Sequence, residues 1–157
     1  MKILITGGKT VLALKLIKAF DGEEILLGDY GEMPSIATNS YSFVELGQWN
    51  ADILAHNLLT KCLDKGVDIL LPLYEAEIIA LSKSLVLFEE FGLKVLLPEN
   101  PQLNSSKFKD WGVFMEGKQI YASATDIQVE NSNSLNGVYA LDVETGQLAL
   151  ASIVDPQ

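Results

Sequence analysis

The strongest constraint on the fold is a short apolar run that ends in a pair of glycines near the start of the chain. Residues 3–5 are apolar, Gly7 and Gly8 follow after one threonine, and apolar residues then recur with helical spacing from Leu12 onward. This pattern is typical of a buried strand, a tight turn and a helix that packs back on the strand. It predicts the opening unit of a parallel α/β sheet, in which ligands bind beyond the carboxyl ends of the strands.

Later segments predict four more strands of the same sheet. Most of them are continuous apolar runs, as expected for parallel strands that are covered on both faces. The predicted fold class is therefore α/β, an open parallel Rossmann-like sheet of strand order 3-2-1-4-5 with helices on both faces. The predicted strands lie near 3–5, 25–27, 42–46, 67–71 and 93–97. The predicted helices lie at 12–20, from 51 to a stop at Gly66, and from the end of the segment 73–77 to about 91.

The pattern changes near Asn100. A short amphipathic helix is predicted at 104–111, and strand-like runs follow near 113–115, 119–122, 127–129, 138–143 and 148–154. Turn residues between these runs predict a C-terminal antiparallel β-meander. We therefore predict an α/β domain at 1–111 and a β-rich appendage at 112–157. Because a small sheet leaves strand edges that need cover, we expect a homo-oligomer, a dimer, formed through the C-terminal strands.

Charge and composition argue against several classes of function. The chain has 157 residues and a formal net charge of −10, so it lacks the basic surface on which binding to nucleic acids and anionic membranes depends. No apolar run approaches the ~20 residues of a membrane span, and the first residues lack the pattern of a signal peptide. A single cysteine, Cys62, fits a reducing compartment. We expect a cytoplasmic protein with no nucleic-acid or membrane partner.

The glycine turn fits none of the common phosphate-binding motifs. A P-loop would need a glycine at position 3, inside the strand, and a Rossmann fingerprint would need glycines where Lys9 and Leu12 stand. Dinucleotide binding is therefore poorly supported, although Asp29 follows the second strand where a ribose-binding acid would lie. Two interpretations stay open. Either the amides at the start of the helix attract an anion together with Lys9, or Gly7 and Gly8 only allow close packing.

Three carboxylates are expected at the same edge of the sheet. Asp29 ends the second strand, and Glu75 and Glu77 follow the fourth, so the three should converge at the rim of the crevice. Convergent carboxylates can bind a metal, bind an amine or act as acid and base, and they can equally be solvated charges. We predict no catalytic residue, no bound metal and no cofactor. The predicted ligand-binding residues are Gly7, Gly8, Lys9, Asp29, Glu75 and Glu77.

Other chemically distinctive residues are given structural interpretations. His56 lies within a predicted helix, so no Ser-His-Asp or Cys-His set can be assembled around it. Cys62 aligns with the apolar face of that helix and is expected to be a small buried hydrophobic residue. Trp49 and Trp111 flank predicted helices and are expected to cover the edges of the core, or to anchor an oligomer contact.

Four short motifs occur in order along the first part of the chain. They are 2–8 (KILITGG), 27–34 (LGDYGEMP), 68–77 (DILLPLYEAE) and 95–98 (VLLP), and 104–107 (NSSK) follows them. Over residues 1–111 this order resembles the pre-ATP-grasp domain. That domain is the Rossmann-like N-terminal domain of ATP-grasp enzymes such as carbamoyl-phosphate synthase large chains and biotin carboxylases, and 104–107 is similar to the entry to their next domain.

The resemblance implies a binding role without catalysis. In that family later subdomains supply the lysines and Mg²⁺-binding groups for ATP, whereas residues 112–157 are almost devoid of basic residues and Lys9 replaces an expected small residue. Phosphoryl transfer rests on such charge neutralisation, so we expect a stand-alone, non-catalytic ligand-binding or interaction protein. The alternative is the N-terminal substrate-binding subunit of a split carboxylate-amine ligase or carbamoyl-phosphate synthase-like enzyme, with a separate ATP-grasp subunit as its partner. A dinucleotide-dependent oxidoreductase is a third possibility.

Overall fold

The structure is a computed structural model that describes residues 1–101, 103–104, 110–123, 135–141 and 148–156. Within these ranges the chain forms four α-helices, one 3-10 helix and ten strands in two sheets. The helices are α1 Val11–Leu16, the 3-10 helix Ile17–Phe20, α2 Leu54–Lys65, α3 Glu75–Ser82 and α4 Leu85–Glu90. The strands are β1 Lys2–Ile5, β2 Glu24–Asp29, β3 Ser42–Glu45, β4 Ile69–Leu71, β5 Lys94–Val95, β6 Leu103–Asn104, β7 Asp110–Met115, β8 Lys118–Ala122, β9 Gly137–Leu141 and β10 Leu148–Ala151.

The first sheet confirms the predicted α/β topology. Its five strands are all parallel and lie in the order β3-β2-β1-β4-β5. On β1, Leu4 faces a hydrophobic cluster that includes α2, α3 and α4, whereas Ile3 and Ile5 face a second cluster that includes α1. Both faces of the central strands are therefore covered, which explains why these strands are apolar at every position.

The second sheet confirms the predicted antiparallel C-terminal strands. Strands β7 to β10 pair antiparallel, the short β6 adds parallel to β10, and the order is β6-β10-β9-β7-β8. Strand β9 pairs with β7 rather than with β8, so β8 is an edge strand among the described residues. Trp111 and Val113 belong to the cluster of α1, and Phe114 and Tyr139 belong to the cluster of α2 to α4. The two sheets therefore share both hydrophobic clusters.

Helix boundaries differ from the prediction. The helix predicted to follow the segment 73–77 and to end near 91 begins earlier, at Glu75, and is two helices, α3 and α4, which are separated by Lys83 and Ser84. The Ser84 hydroxyl donates to Ala80 O at 3.2 Å, and such bonds from serine to the backbone compete with a continuous helix. Helix α2 begins at Leu54 rather than near 51, because Asn50 accepts the Asp52 N–H at 3.0 Å in a preceding turn.

The short helix predicted at 104–111 is wrong at both ends. Residue 104 belongs to β6, and β7 begins at Asp110. Residues 111–114 of β7 are all buried. Residues 105–109 lie outside the described residues, as does the strand predicted near 127–129. In the part of the chain that the structure describes, the longest helix has 12 residues, and none has the length and hydrophobicity of a membrane span.

Candidate functional site

The predicted site lies where the carboxyl ends of β1, β2 and β4 meet the starts of α1 and α3. We call this region the carboxyl edge and define it as residues 6–10, 29–32 and 72–77. It contains all six predicted site residues: Gly7, Gly8, Lys9, Asp29, Glu75 and Glu77.

The backbone amides of the glycine turn already have partners within the fold. Gly8 N–H donates to Gly28 O at 2.9 Å, and Thr10 N–H donates to Gly7 O at 2.9 Å. Lys9 N–H donates to a carboxylate oxygen of Asp29 at 3.0 Å. Of these three amides only that of Lys9 meets a carboxyl group, and that group is the side chain of Asp29, which belongs to the chain itself.

The two glycines serve different steric needs. A Cβ on Gly8 would lie 2.7 Å from the carbonyl carbon of Leu27, so the turn packs directly on the backbone of β2. Gly7 has a φ of +64°, and a Cβ there would lie 2.5 Å from Cδ1 of Ile153. Both contacts favour the interpretation that the glycines allow close packing.

Lys9 spans the carboxyl edge from the outside. Its side chain is exposed, and its Nζ donates to Tyr30 O at 2.8 Å and to Glu32 O at 3.2 Å. The ammonium group therefore ties the glycine turn of β1 to the segment that follows β2.

Asp29 points into the protein rather than into solvent. Only 1% of it is exposed, and it accepts three hydrogen bonds. Besides the Lys9 amide, the donors are Tyr30 N–H at 2.8 Å and the Tyr74 hydroxyl at 2.7 Å. A ribose-binding acid presents its oxygens to the cofactor, and Asp29 instead uses them to join β2 to the turn and to the start of α3.

Glu77 is completely buried beside Asp29. Its Oε1 accepts the Thr6 hydroxyl at 2.6 Å and Tyr74 N–H at 3.3 Å, and its Oε2 accepts the Tyr30 hydroxyl at 2.5 Å. The bond from Tyr74 N–H is the backward bond of a capping box, made by the third residue of α3. Burial raises the pKa of Glu77 to about 7 against these hydrogen bonds, which favour its charged form.

Two tyrosines that sequence reasoning missed hold these carboxylates together. Burial raises the pKa of Tyr30 and of Tyr74, and bonding to carboxylates raises it further, so both hydroxyls stay protonated donors. The Trp49 ring stands edge-on against both, with centroid distances of 4.9 Å to Tyr30 and 5.5 Å to Tyr74. Their places in the sequence could have indicated them, because Tyr30 directly follows Asp29 at the end of β2 and Tyr74 directly precedes α3. Thr6 directly follows β1 and was not predicted to belong to the site either.

Glu75 lies apart from this buried network. It is half-buried, and its backbone N–H donates to Ile153 O at 3.2 Å. The structure therefore brings Asp29 and Glu77 together through the tyrosines, and it places Glu75 at the rim. Among the described residues, no group of three His, Cys, Asp or Glu side chains is arranged to hold a metal ion.

The last described residues of the chain lie on the carboxyl edge. We call residues 152–156 the C-terminal tail. Ile153 N–H donates to Leu73 O at 2.8 Å, and Ala76 N–H donates to a carboxylate oxygen of Asp155 at 2.8 Å. Sequence reasoning placed 148–154 in a strand and gave no sign of this docking.

The remaining distinctive residues do not join the site. His56 is exposed on α2, and Cys62 is fully buried, which raises the pKa of its thiol to about 12. Trp111 is buried and stacks on Tyr121 at a centroid distance of 5.0 Å. A cavity of about 590 Å³ lies near the amino end of β2, between Phe20, Ile25 and Ser40, away from the carboxyl edge.

Comparison with models of known protein families and with curated proteins gives no match to this chain.

Proposed function

We propose that this protein is a non-catalytic binding protein, a stand-alone pre-ATP-grasp-like domain that acts through its carboxyl edge. One observation carries the proposal: the chain's own carboxylates occupy the positions at which an open site would receive a ligand. Asp29 accepts the N–H of Lys9, which lies two residues before α1, and Asp155 accepts the N–H of Ala76 in the first turn of α3.

The chemistry of the buried acids supports binding rather than catalysis. A general base or a metal ligand needs a lone pair that is directed at the substrate. All four carboxylate oxygens of Asp29 and Glu77 instead accept hydrogen bonds from the protein. These acids stabilise the shape of the carboxyl edge, and the backbone groups at its rim are the parts that can meet a partner.

A homodimer through the C-terminal strands remains part of the proposal. In the described part of the second sheet, β8 is an edge strand, and its residues 118–120 are exposed. Edge strands carry unpaired backbone groups that can pair with another chain. Light scattering should give twice the monomer mass, and Ile120→Pro should shift the protein to the monomer, because proline cannot donate to a strand pair.

The alternative proposal, the substrate-binding subunit of a split ligase, requires a different state of the site. It requires Asp29, Glu75 or Glu77 to contact an acid or amine substrate, so the bonds of Asp29 and Glu77 would have to open. No contact in the described residues favours this state.

Mg²⁺-dependent ATP turnover by the purified protein alone tests the non-catalytic proposal. The purified protein is incubated with ATP, Mg²⁺ and bicarbonate or an amino acid, and released phosphate is measured. We expect no release above the protein-free blank. Turnover that disappears in Asp29→Asn and persists in Glu23→Gln, a control far from the carboxyl edge, would overturn the non-catalytic proposal.

A further inference from the structure

We propose that the carboxyl edge is a docking groove for an extended peptide in which an apolar residue, any residue and an acidic residue follow one another. In this structure the groove holds the chain's own Ile153, Val154 and Asp155 in cis. The inference rests on the proposed binding function, because it names the class of partner for the same edge.

The backbone of the tail is recognised as an added strand would be. Ile153 donates its N–H to Leu73 O at 2.8 Å and accepts the Glu75 N–H at 3.2 Å. This makes an isolated parallel bridge between Tyr74 and Ile153. Such main-chain pairing gives affinity for any extended peptide, and side-chain pockets then provide selectivity.

The side chains of the tail alternate between the groove and solvent. Ile153 packs over Gly7, where no Cβ intervenes, and it contacts both hydrophobic clusters. Val154 is 72% exposed. Asp155 returns to the groove and accepts the Ala76 N–H at 2.8 Å. The positions that the groove can select are therefore the first and the third.

The tail is an imperfect occupant of its own groove. Ser152, just before Ile153, is 5% exposed, and its hydroxyl oxygen has no hydrogen-bond partner among the described residues. A buried polar group without a partner weakens binding. A peptide with alanine at this position would keep every contact of the tail and avoid that penalty, so it should compete well with the tail.

The test uses the full chain with a weakened tail. In the double variant Ile153→Ser with Asp155→Asn, the groove residues stay unchanged. The probe is a fluorescent peptide of residues 152–156 with blocked ends, and binding is measured by anisotropy. The probe should bind the double variant about tenfold more tightly than the unmodified chain, because the tail no longer competes in cis.

Matched probes test the selectivity. A probe with Asp155→Asn should lose most of its binding, a probe with Val154→Lys should bind as before, and a probe with Ser152→Ala should bind more tightly. Equal binding of all four probes, or no binding to a double variant that is folded by circular dichroism, would overturn the inference.

Hydrogen exchange of the unmodified chain keeps the inference testable if the double variant does not fold. Locally opening segments exchange faster than the core, so the amides of Ile153 and Glu75 should exchange well before those of Leu4 and Leu70. Equal protection of all four amides would mean that the tail leaves only when the whole protein unfolds, which contradicts a docking groove. ATP turnover tests the proposed function separately, because it does not depend on whether the tail can leave.

Discussion

Tyr30 and Tyr74 hold the same two carboxylates in crossed fashion. Tyr30 donates its N–H to Asp29 and its hydroxyl to Glu77, whereas Tyr74 donates its N–H to Glu77 and its hydroxyl to Asp29. Their ring centroids lie 6.0 Å apart. The arrangement joins the end of β2 to the start of α3 across the end of β1, and Thr6 of that end donates to the same Glu77.

Removing either hydroxyl should destabilise the protein. Tyr30→Phe leaves Oε2 of Glu77 without its donor, and Tyr74→Phe takes one donor from Asp29. Each change should lower the free energy of unfolding by about 1–3 kcal/mol, the cost of a buried polar group that loses its partner. The loss in the free energy of unfolding of the double variant should differ from the sum of the two single losses, because both side chains belong to one hydrogen-bond network. Urea unfolding of the four proteins measures this, and strict additivity would argue against the crossed arrangement.

Glu77 should make stability depend on pH. Burial raises its folded pKa from an ordinary 4.5 to about 7, so between these values the folded state holds a proton that the unfolded state has lost. The free energy of unfolding should therefore fall as pH rises from about 4.5 to about 7, by about 3 kcal/mol in total, and then stay at the lower level.

Glu77→Gln is the variant that isolates this effect. Urea unfolding across the same pH range should show that Glu77→Gln lacks this contribution to the slope. Glu75→Gln, two residues earlier and half-buried at the rim, should keep the slope of the unmodified chain. Parallel pH profiles for the unmodified chain and Glu77→Gln would contradict the expectation.

Gly8→Ala should be costly although its backbone conformation suits alanine. The new methyl group would overlap the backbone of β2 at Leu27, and a backbone in the middle of a sheet cannot move aside as a side chain can. We expect a loss of about 2–3 kcal/mol, in the range of overpacked cores. Gly22→Ala is the control, because open space surrounds Gly22 and only its φ of +87° is unfavourable for alanine. Its thermal midpoint should fall less than that of Gly8→Ala.

Ser152→Ala should stabilise the protein. The hydroxyl is buried with no partner among the described residues, so its removal should raise the free energy of unfolding by about 1 kcal/mol. Ser123→Ala provides the opposite case, because Ser123 Oγ accepts the Trp111 N–H at 2.8 Å. The thermal midpoint should therefore rise for Ser152→Ala and fall for Ser123→Ala. A change in the same direction for both variants would contradict the expectation that the missing hydrogen-bond partner of Ser152 lowers stability.

Local patterns were enough to predict the first sheet, and they failed where distant residues decide. The apolar runs and the glycine turn carry their own structural information, so the strand order and the position of Asp29 at the carboxyl edge followed from them. The inward orientation of Asp29 depends on Tyr74, which is 45 residues away, and that of Glu77 depends on Thr6, 71 residues away. No local periodicity encodes such pairs. The docking of Asp155 on Ala76 spans 79 residues and was missed for the same reason.

The first and the last described residues lie at opposite ends of the strands of the first sheet. Met1 precedes β1, at the amino ends of the strands, and its amino group pairs with Glu23. Asp155 lies at the carboxyl ends of the strands, where it bonds to Ala76 of α3. Any label or fusion partner joined directly after Asp155 would therefore be tethered over the carboxyl edge. The same group joined before Met1 would leave that edge uncovered.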